Sequence, residues 1–293
     1  MVDKRFFLAA ALLLACLSSA RGAEPNRYPW TEPLAAGAER PADIEKRIPP
    51  PAGFERVGVE AGSFDDWLRH LPLKADGAPV QLFDGRKKAD QAVHAAVIDI
   101  DTGGRDLQQC ADAVIRLRAE YLFSRGKSDA IVFHFTSGDA ARYADWRKGL
   151  RPEVSGNKVR WARKAAPDDT HASFRKYLDT VFAYAGTQSL ERELEKREKV
   201  AEMRIGDVFI RGGSPGHAAI VVDMASRKGP DGSDELVFLL AQGYMPAQDI
   251  HVLKNPNDRA LSPWYPVGFG DKLRTPEWEF VRTELRSFAE ERR

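Results

Sequence analysis

Three short apolar runs constrain the fold more than any other feature of the chain. They occupy residues 208–210, 218–222 and 236–241, and the polar residues Asp223 and Gln242 follow the last two. Runs of this length are typical of buried strands rather than of helices. The first two are separated by a Gly-Gly-Ser-Pro-Gly turn at residues 212–216, and the last two by a polar loop at residues 224–235. The spacing predicts consecutive antiparallel strands.

Helical and extended patterns alternate along the rest of the chain. Residues 106–123 and 171–184 have apolar side chains at helical spacing, and Ser63 is a capping residue for a short helix over residues 63–71. A highly charged stretch at residues 190–201 predicts a solvated surface helix. The short apolar runs at residues 80–82, 95–100 and 131–135 predict further strands. Near the C-terminus, residues 278–280 and 285–288 predict either a hairpin or a strand and a helix. Together these patterns indicate an α+β fold.

The N-terminus has the features of an export signal. Lys4 and Arg5 precede an apolar run at residues 6–17, and small residues follow it. The run is too short to span a bilayer but matches the core of a secretory signal peptide. We therefore expect residues 1–22 to be a signal peptide and the protein to be exported to the periplasm or cell envelope.

The segment LLAC, which ends at Cys16, resembles a bacterial lipoprotein box. Lipidation of Cys16 is therefore the alternative to simple cleavage, and it would be the chain's membrane contact. After the signal, residues 23–53 are rich in proline and show little apolar periodicity, which predicts a tether. Residues 54–293 contain no second linker of this kind and are expected to form a single α+β domain.

Composition and motifs narrow the range of partners. The chain has 44 basic and 43 acidic residues and a formal net charge of +1, so nucleic acid is not an expected partner. The histidines and cysteines show neither HExxH nor CxxC spacing, and no glycine-rich phosphate loop follows a strand. We accordingly expect no metal and no cofactor.

The cysteine count focuses attention on one thiol. The chain has 2 cysteines, Cys16 and Cys110. Removal or lipidation of Cys16 leaves Cys110 without a partner for an internal disulfide. A lone thiol in an oxidising compartment is either buried in the core or used chemically.

Cys110 lies at the start of a predicted helix. Asp106 is a good N-cap and Gln109 follows three residues later, which predicts a capping box with Cys110 in the first turn. The partial positive charge of a helix N-terminus stabilises a thiolate, so we expect the thiol pKa to lie below its ordinary value of about 8.5. Cys110 shares a face with the apolar residues Val114 and Leu117 and should point into the domain. This position suits a nucleophile or a core cysteine.

The hairpin register brings a histidine and an amide together. If Asp223 pairs with Leu236, then His217 lies opposite Gln242, and directly opposed residues share a face of the sheet. A neighbouring amide would fix the orientation and tautomer of the imidazole ring, as a general base requires. If this register is wrong, Asp223 or Gln248 is the next candidate for the orienting residue.

Two segments around this histidine resemble those of a known class of enzymes. Gly206-Asp207-Val208 and Gly216-His217 are similar to the corresponding segments of the papain-like CHAP and NlpC-type cell-wall amidases, and the order thiol, histidine, amide is the same. The resemblance implies a papain-like fold, in which an antiparallel sheet packs against a cysteine-bearing helix. It also implies that Cys110 is the nucleophile, His217 the base and Gln242 the orienting residue. Ala111 departs from the pattern, because these amidases often have a small polar residue after the cysteine.

The oxyanion site follows from the same resemblance. Its candidate donors are the backbone N–H of Cys110 and the side chain of Gln108 or Gln109. We expect the Cys110 sulfur to lie within about 3 to 4.5 Å of a His217 ring nitrogen if the two act as nucleophile and base.

A second resemblance covers nearly the whole mature chain. It rests on four long segments in order, DLQQCADAVIRLRAEYLF, FRKYLDTVFAYAGTQSL, IGDVFIRGGSPGHAAIVVDMA and FLLAQGYMPAQDIHVLKNP. These resemble the exported bacterial family called domain of unknown function 4846. Membership would imply a single exported domain and leaves the chemistry to the residues.

The leading functional expectation is an exported thiol hydrolase that cleaves an amide bond, with peptidoglycan-like peptides as substrate and partner. The first alternative is a non-catalytic envelope protein that binds a cell-wall peptide or a protein partner, with Cys110 buried. The second is a thioesterase or acyltransferase that uses the same thiol and base.

Overall fold

The computed structural model describes residues 27–31 and 42–289. The expected signal peptide at residues 1–22, and Cys16 within it, lie outside these ranges. Within them, none of the helices has the length and apolar character needed to cross a membrane.

The described chain alternates helices and strands. The α-helices are α1 (Ile44–Arg47), α2 (Phe64–Arg69), α3 (Cys110–Ser124), α4 (Tyr143–Trp146), α5 (His171–Tyr184) and α6 (Thr187–Glu193). The first strands are β1 (Glu55–Arg56), β2 (His94–Val97), β3 (Val132–His134), β4 (Ala140–Arg142), β5 (Leu150–Ser155), β6 (Lys158–Arg163), β7 (Glu195–Lys196) and β8 (Val208–Arg211). They are followed by β9 (His217–Lys228), β10 (Asp234–Gln242), β11 (His251–Leu253), β12 (Tyr265–Pro266), β13 (Lys272–Arg274), β14 (Glu279–Val281) and β15 (Leu285–Ser287).

One antiparallel sheet organises the domain. Its main path has the order β2-β11-β10-β9-β8-β15-β7, with β1 beside β9 and β12 beside β10. Three separate hairpins, β3-β4, β5-β6 and β13-β14, lie outside this sheet. The fold is therefore mixed α+β, with antiparallel pairing and a few helices.

Strands β9 and β10 form the centre of the core, and α3 packs against them. Residues 217–225 of β9 and 237–242 of β10 are buried. Helix α3 is enclosed as well, with 12 of its 15 residues buried. A helix covered on nearly every side lies inside the domain rather than on its surface. Cys110, which is half-buried, is the first residue of this enclosed helix.

The register between β9 and β10 differs from the prediction. Asp223 pairs with Leu239 rather than with Leu236, and a β-bulge follows, because the next pair is Leu240 with Val221. The bulge skips one residue of β9, so the pairing beyond it is shifted by one position, and each residue of β10 pairs with a β9 residue one position closer to His217 than it would without the bulge. The prediction of the register was wrong, because composition alone does not reveal a bulge.

The start of α3 also differs from the prediction. The helix begins at Cys110 with Gln109 as its N-cap, and the Asp112 carboxylate accepts a hydrogen bond of 3.0 Å from the Gln109 backbone N–H. Asp106 is not the cap. Its carboxylate instead accepts from the Ala247 N–H at 2.7 Å and from the Gln109 amide at 3.0 Å. Asp106 thereby ties the loop after β10 to the beginning of the helix.

Several predicted elements are confirmed, and one is largely wrong. Helix α5 spans residues 171–184 as expected, and α2 begins after Ser63, whose side chain accepts from the Asp66 N–H. The predicted helix at residues 190–201 ends at Glu193, and the next residues form β7 against β15. Pairing with β15 overrides the local helical propensity of this charged segment. In the predicted strand at residues 80–82, Gln81 and Leu82 form isolated bridges instead of a strand.

Part of the predicted tether lies against the domain. The Tyr28 hydroxyl donates to the Trp67 carbonyl at 2.9 Å, and the Trp30 ring N–H donates to the Asp99 carbonyl at 2.7 Å. Ile44 at the start of α1 is fully buried. These contacts add aromatic and apolar packing to the domain near α2.

Candidate active site

A tight turn before β9 places His217 at the first position of this strand. A side chain at Gly216 would come within 2.4 Å of the Thr187 hydroxyl and 2.5 Å of the Gly213 carbonyl oxygen. Only glycine allows so close an approach of the backbone. His217 follows at once and is 2% exposed. The Gly-His pair seen in the sequence therefore has a steric basis.

His217 and Gln242 meet, as predicted, although the register differs. The His217 Nε2 lies 2.7 Å from the Gln242 Oε1. The bulge makes this contact possible. Beyond the bulge, Ala241 pairs with Ile220. The next residue, Gln242, therefore lies diagonally across from His217 on the same face of the sheet. Without the bulge, Gln242 would point to the opposite face of the sheet.

Aromatic rings surround the histidine. The ring centroids of Tyr244, Trp278 and Phe280 lie 5.0, 5.3 and 5.7 Å from that of His217. Burial is the largest cause that lowers the pKa of His217; the Gln242 hydrogen bond raises it, the positive charge of Lys88 lowers it, and the result is a pKa of about 4. The imidazole is therefore neutral at pH 7 and can accept a proton.

Gln242 has polar partners beyond His217. Its amide nitrogen donates to the Glu277 carboxylate at 2.9 Å and lies 3.5 Å from the His251 Nε2. Glu277 in turn pairs with Lys88 at 2.5 Å. The Gln242 side chain is fully buried, so these contacts replace those that water would otherwise make.

The Cys110 thiol lies against backbone N–H groups but has a high pKa. The N–H groups of Cys110, Ala111 and Ala218 act to lower the pKa. Burial and the Asp112 carboxylate outweigh them and raise it to about 11. The expectation of a lowered thiol pKa is therefore wrong, because desolvation exceeds the effect of the helix terminus. The resting pair is a neutral thiol and a neutral imidazole.

Asp112 is a buried acid beside this thiol. Burial raises its pKa to about 8, while the hydrogen bond from the Gln109 N–H lowers it. Its second oxygen, Oδ1, is buried without a hydrogen-bond partner among the described residues. The carboxyl group is thus largely protonated at pH 7, which weakens its opposition to a thiolate at Cys110.

Gly243 allows α3 to approach the end of β10. A side chain at this position would come within 2.8 Å of the Gln109 carbonyl oxygen and 3.0 Å of the Ala113 Cβ. This contact brings the first turn of α3 beside the residue that follows Gln242. The turn of α3 that carries Cys110 therefore lies beside the end of β10 that carries Gln242.

Both glutamines proposed for the oxyanion site are used elsewhere. Gln108 is fully buried, and its Oε1 accepts a hydrogen bond of 3.0 Å from Arg116. The Gln109 amide donates to Asp106. The backbone N–H groups near the Cys110 sulfur are the better placed donors.

The reserve candidates for the orienting residue have other roles. Asp223 is held by two arginines, with its oxygens 2.8 Å from the Arg56 Nε and 2.7 Å from the Arg69 Nε. Gln248 forms an isolated bridge with Leu82. Gln242 is the residue that the structure places beside His217.

Sequence reasoning did not find Glu277, Lys88 or His251 as members of the site. Glu277 lies between β13 and β14, and no local pattern connects it with Gln242. His251 could have been found from a correct strand order, because it pairs with Gln242 across β10 and β11. In the described part of the chain, no group of three or more His, Cys, Asp or Glu side chains is arranged to hold a metal ion.

The fold and site define an α+β protein that carries a thiol, an imidazole and an amide at one end of an antiparallel sheet. The family model described as Domain of unknown function (4846) matches residues 44–287, so the chain belongs to that family. Neither the curated proteins nor the solved structures include a match.

Proposed function

We propose that this protein is an exported, papain-like thiol hydrolase that cleaves amide bonds in cell-wall peptides. The observation that carries the proposal is the 2.7 Å contact between the His217 Nε2 and the Gln242 Oε1, together with a Cys110 thiol that lies against the backbone N–H of Ala218, the residue after His217. An amide oxygen accepts a hydrogen bond but donates none, so Nε2 carries the proton and Nδ1 presents a lone pair.

The first chemical step transfers one proton and forms one bond. As the Cys110 sulfur attacks the substrate carbonyl carbon, its proton passes to the His217 Nδ1. The carbonyl π electrons move to the oxygen, and the backbone N–H groups near the sulfur stabilise the resulting negative charge. A neutral resting pair suits this path, because deprotonation accompanies attack and no stable thiolate is needed.

Collapse of the intermediate releases the amine. The carbon–nitrogen bond breaks, and the leaving nitrogen takes the proton from the His217 Nδ1. The acyl group remains on Cys110 as a thioester. Water then attacks the thioester, His217 accepts its proton and returns it to the sulfur, and a carboxylic acid leaves.

One observation favours the non-catalytic alternative. A thiol pKa of about 11 is typical of a buried structural cysteine, and the same fold could bind a wall peptide without cleaving it. The thioesterase or acyltransferase alternative uses the same steps with a sulfur or oxygen leaving group, or with an amine or alcohol in place of water.

Incubation of the exported chain with purified peptidoglycan in ¹⁸O water tests the proposal. Amide hydrolysis creates a new amine and a carboxylate that contains one ¹⁸O atom, both detectable by mass spectrometry. Cys110→Ala should abolish both products, and His217→Ala should lower their rate by about 100-fold or more. Parallel incubation with a peptide thioester identifies the thioesterase alternative.

His134→Ala is the matched control, because His134 lies on β3 with 42% of its side chain exposed. It should leave the rate unchanged. Binding of peptidoglycan without a new amine would support the non-catalytic protein and end the hydrolase proposal.

A further inference from the structure

The Gln242 side chain lies between two histidines and a carboxylate, and its orientation decides which ring nitrogen of His217 is free. We propose that Glu277 is a positioning residue that, held by Lys88 and assisted by His251, fixes the Gln242 amide and thereby the tautomer of His217. The effect of Glu277 on catalysis rests on the proposed function. The tautomer of His217 can be measured without any substrate.

Glu277 lies between the Gln242 amide and Lys88. Its Oε2 lies 2.9 Å from the Gln242 amide nitrogen, while its Oε1 is paired with the Lys88 ammonium group. An ionised carboxylate accepts hydrogen bonds and donates none. The group of Gln242 that faces Glu277 must therefore be the NH₂ group. The Lys88 ammonium group holds the other end of this carboxylate in place through their ion pair.

His251 supports the same orientation from the other side. Its Nδ1 lies 2.9 Å from the Asp249 carbonyl oxygen, which can only accept, so Nδ1 carries the proton. The His251 Nε2 is then an acceptor, and it lies 3.5 Å from the Gln242 amide nitrogen. The two hydrogens of the amide thus face two acceptors.

The consequence reaches His217 through the amide oxygen. With the NH₂ group directed to Glu277 and His251, the Gln242 Oε1 faces the His217 Nε2 at 2.7 Å. Nε2 must donate to this oxygen, so Nδ1 retains its lone pair. If the amide turned over, Nε2 would have to accept, Nδ1 would carry the proton, and the base would be blocked.

Nitrogen-15 NMR of the protein labelled on histidine tests the proposal, because one-bond N–H couplings identify the protonated ring nitrogen. In the parent protein, His217 should carry its proton on Nε2 and His251 on Nδ1. The two signals are assigned by their loss in His217→Gln and His251→Gln. Protons on the same type of nitrogen in both rings would overturn the proposal without any change at position 277.

Glu277→Gln supplies the second arm. A neutral amide at position 277 can donate as well as accept, so it no longer selects the orientation of Gln242. We expect part of the His217 population to move its proton from Nε2 to Nδ1, and Glu277→Asp, which keeps the carboxylate, to restore the parent tautomer. Glu279→Gln is the control, because that exposed carboxylate pairs with Lys272 at 2.7 Å.

An unchanged His217 tautomer in folded Glu277→Gln would contradict the positioning role. In an amide hydrolysis assay, the same variant should lower kcat with KM unchanged, because the base is blocked in part of the population. A shifted tautomer with no hydrolysis in any variant would leave the positioning role standing and refute the proposed function.

Discussion

His217 and Asp223 lie on the same buried strand, yet their surroundings differ in kind. Asp223 is enclosed by Arg56 and Arg69, and each of its oxygens has a charged partner. His217 is neutral, has aromatic rings around it, and bonds through Nε2 to Gln242. Among the described residues, its ring makes no hydrogen bond through Nδ1.

The difference separates a charged cluster that anchors the fold from a neutral cluster around His217. A buried carboxylate with two arginine partners is stable only while both charges remain, so it fixes the geometry of β9 against β1 and α2. A buried neutral histidine that is held through one nitrogen keeps the other available for proton transfer. The same strand thus anchors the fold at Asp223 and holds a neutral histidine with one ring nitrogen free at its first residue.

Substitution at the two positions should lower the free energy of unfolding by different amounts. Asp223→Asn removes the charge that compensates the buried Arg69 and the partly exposed Arg56, and should lower the free energy of unfolding by about 3 to 5 kcal/mol. His217→Gln retains a polar group beside Gln242 and should lower it by about 1 kcal/mol. Urea denaturation at pH 7 measures both. Equal losses would remove the distinction between the two clusters.

Acid should weaken the histidine cluster. The His217 pKa falls from 6.5 in the unfolded chain to about 4 in the folded protein. Between these values the unfolded state binds the proton and the folded state does not, so stability falls as the pH falls from about 6.5 to about 4. The full effect is about 3 kcal/mol for this one group. His251, whose pKa burial lowers to about 3, adds a loss of the same sign.

The contribution of His217 is the difference between the parent and His217→Gln in urea denaturation at pH 7, 6, 5 and 4. The parent should lose more stability toward low pH than the variant. Identical pH dependence in the two proteins would show that the folded imidazole is not held neutral.

Gly243→Ala should disturb the site through the backbone. The added carbon would come within 2.8 Å of the Gln109 carbonyl oxygen, so α3 or β10 must move. We expect a loss of about 1 to 3 kcal/mol in stability. Displacement of Cys110 by about 1 Å should also slow hydrolysis by about 100-fold. Gly104→Ala, where the space is open, is the control, and equal effects would contradict the close approach of helix and strand.

The smallest expected effect concerns Lys88. Its positive charge contributes to the lowered His217 pKa, after burial, which is the largest cause. Lys88→Met should therefore raise the His217 pKa modestly and leave it below 6.5. Titration of the ring by NMR measures the shift, and a lower pKa in the variant would contradict the assignment of Lys88 as an opposing charge.

Sequence reasoning selected Cys110, His217 and Gln242, but it did not predict the thiol pKa or the contact of Glu277 with the amide. Cys110, His217 and Gln242 follow from a helix start, a tight turn and two strands, which are local signals. The contact between His217 and Gln242 was predicted from the wrong register. The contact forms because the bulge after Leu239 shifts the pairing by one residue, and this shift places Gln242 on the same face of the sheet as His217.

Other features depend on tertiary contacts that local patterns do not encode. The thiol pKa was predicted in the wrong direction because burial of Cys110 and the neighbouring Asp112 were not visible. Glu277 was missed because a distant loop carries it to Gln242. The helix predicted at residues 190–201 ends early because Glu195 and Lys196 pair with β15 in the sheet.

Alkylation of Cys110 by iodoacetamide tests the central claim most directly, because it asks whether the thiol and His217 act as a pair and needs no substrate. The rate is measured against pH for the parent protein and for His217→Gln, with intact folding checked by circular dichroism. The account predicts that at pH 7 the parent reacts faster by about 100-fold, since the imidazole accepts the thiol proton as the sulfur attacks. Equal rates across the pH range, both rising only toward the thiol pKa of about 11, would contradict it and identify Cys110 as an inert core thiol.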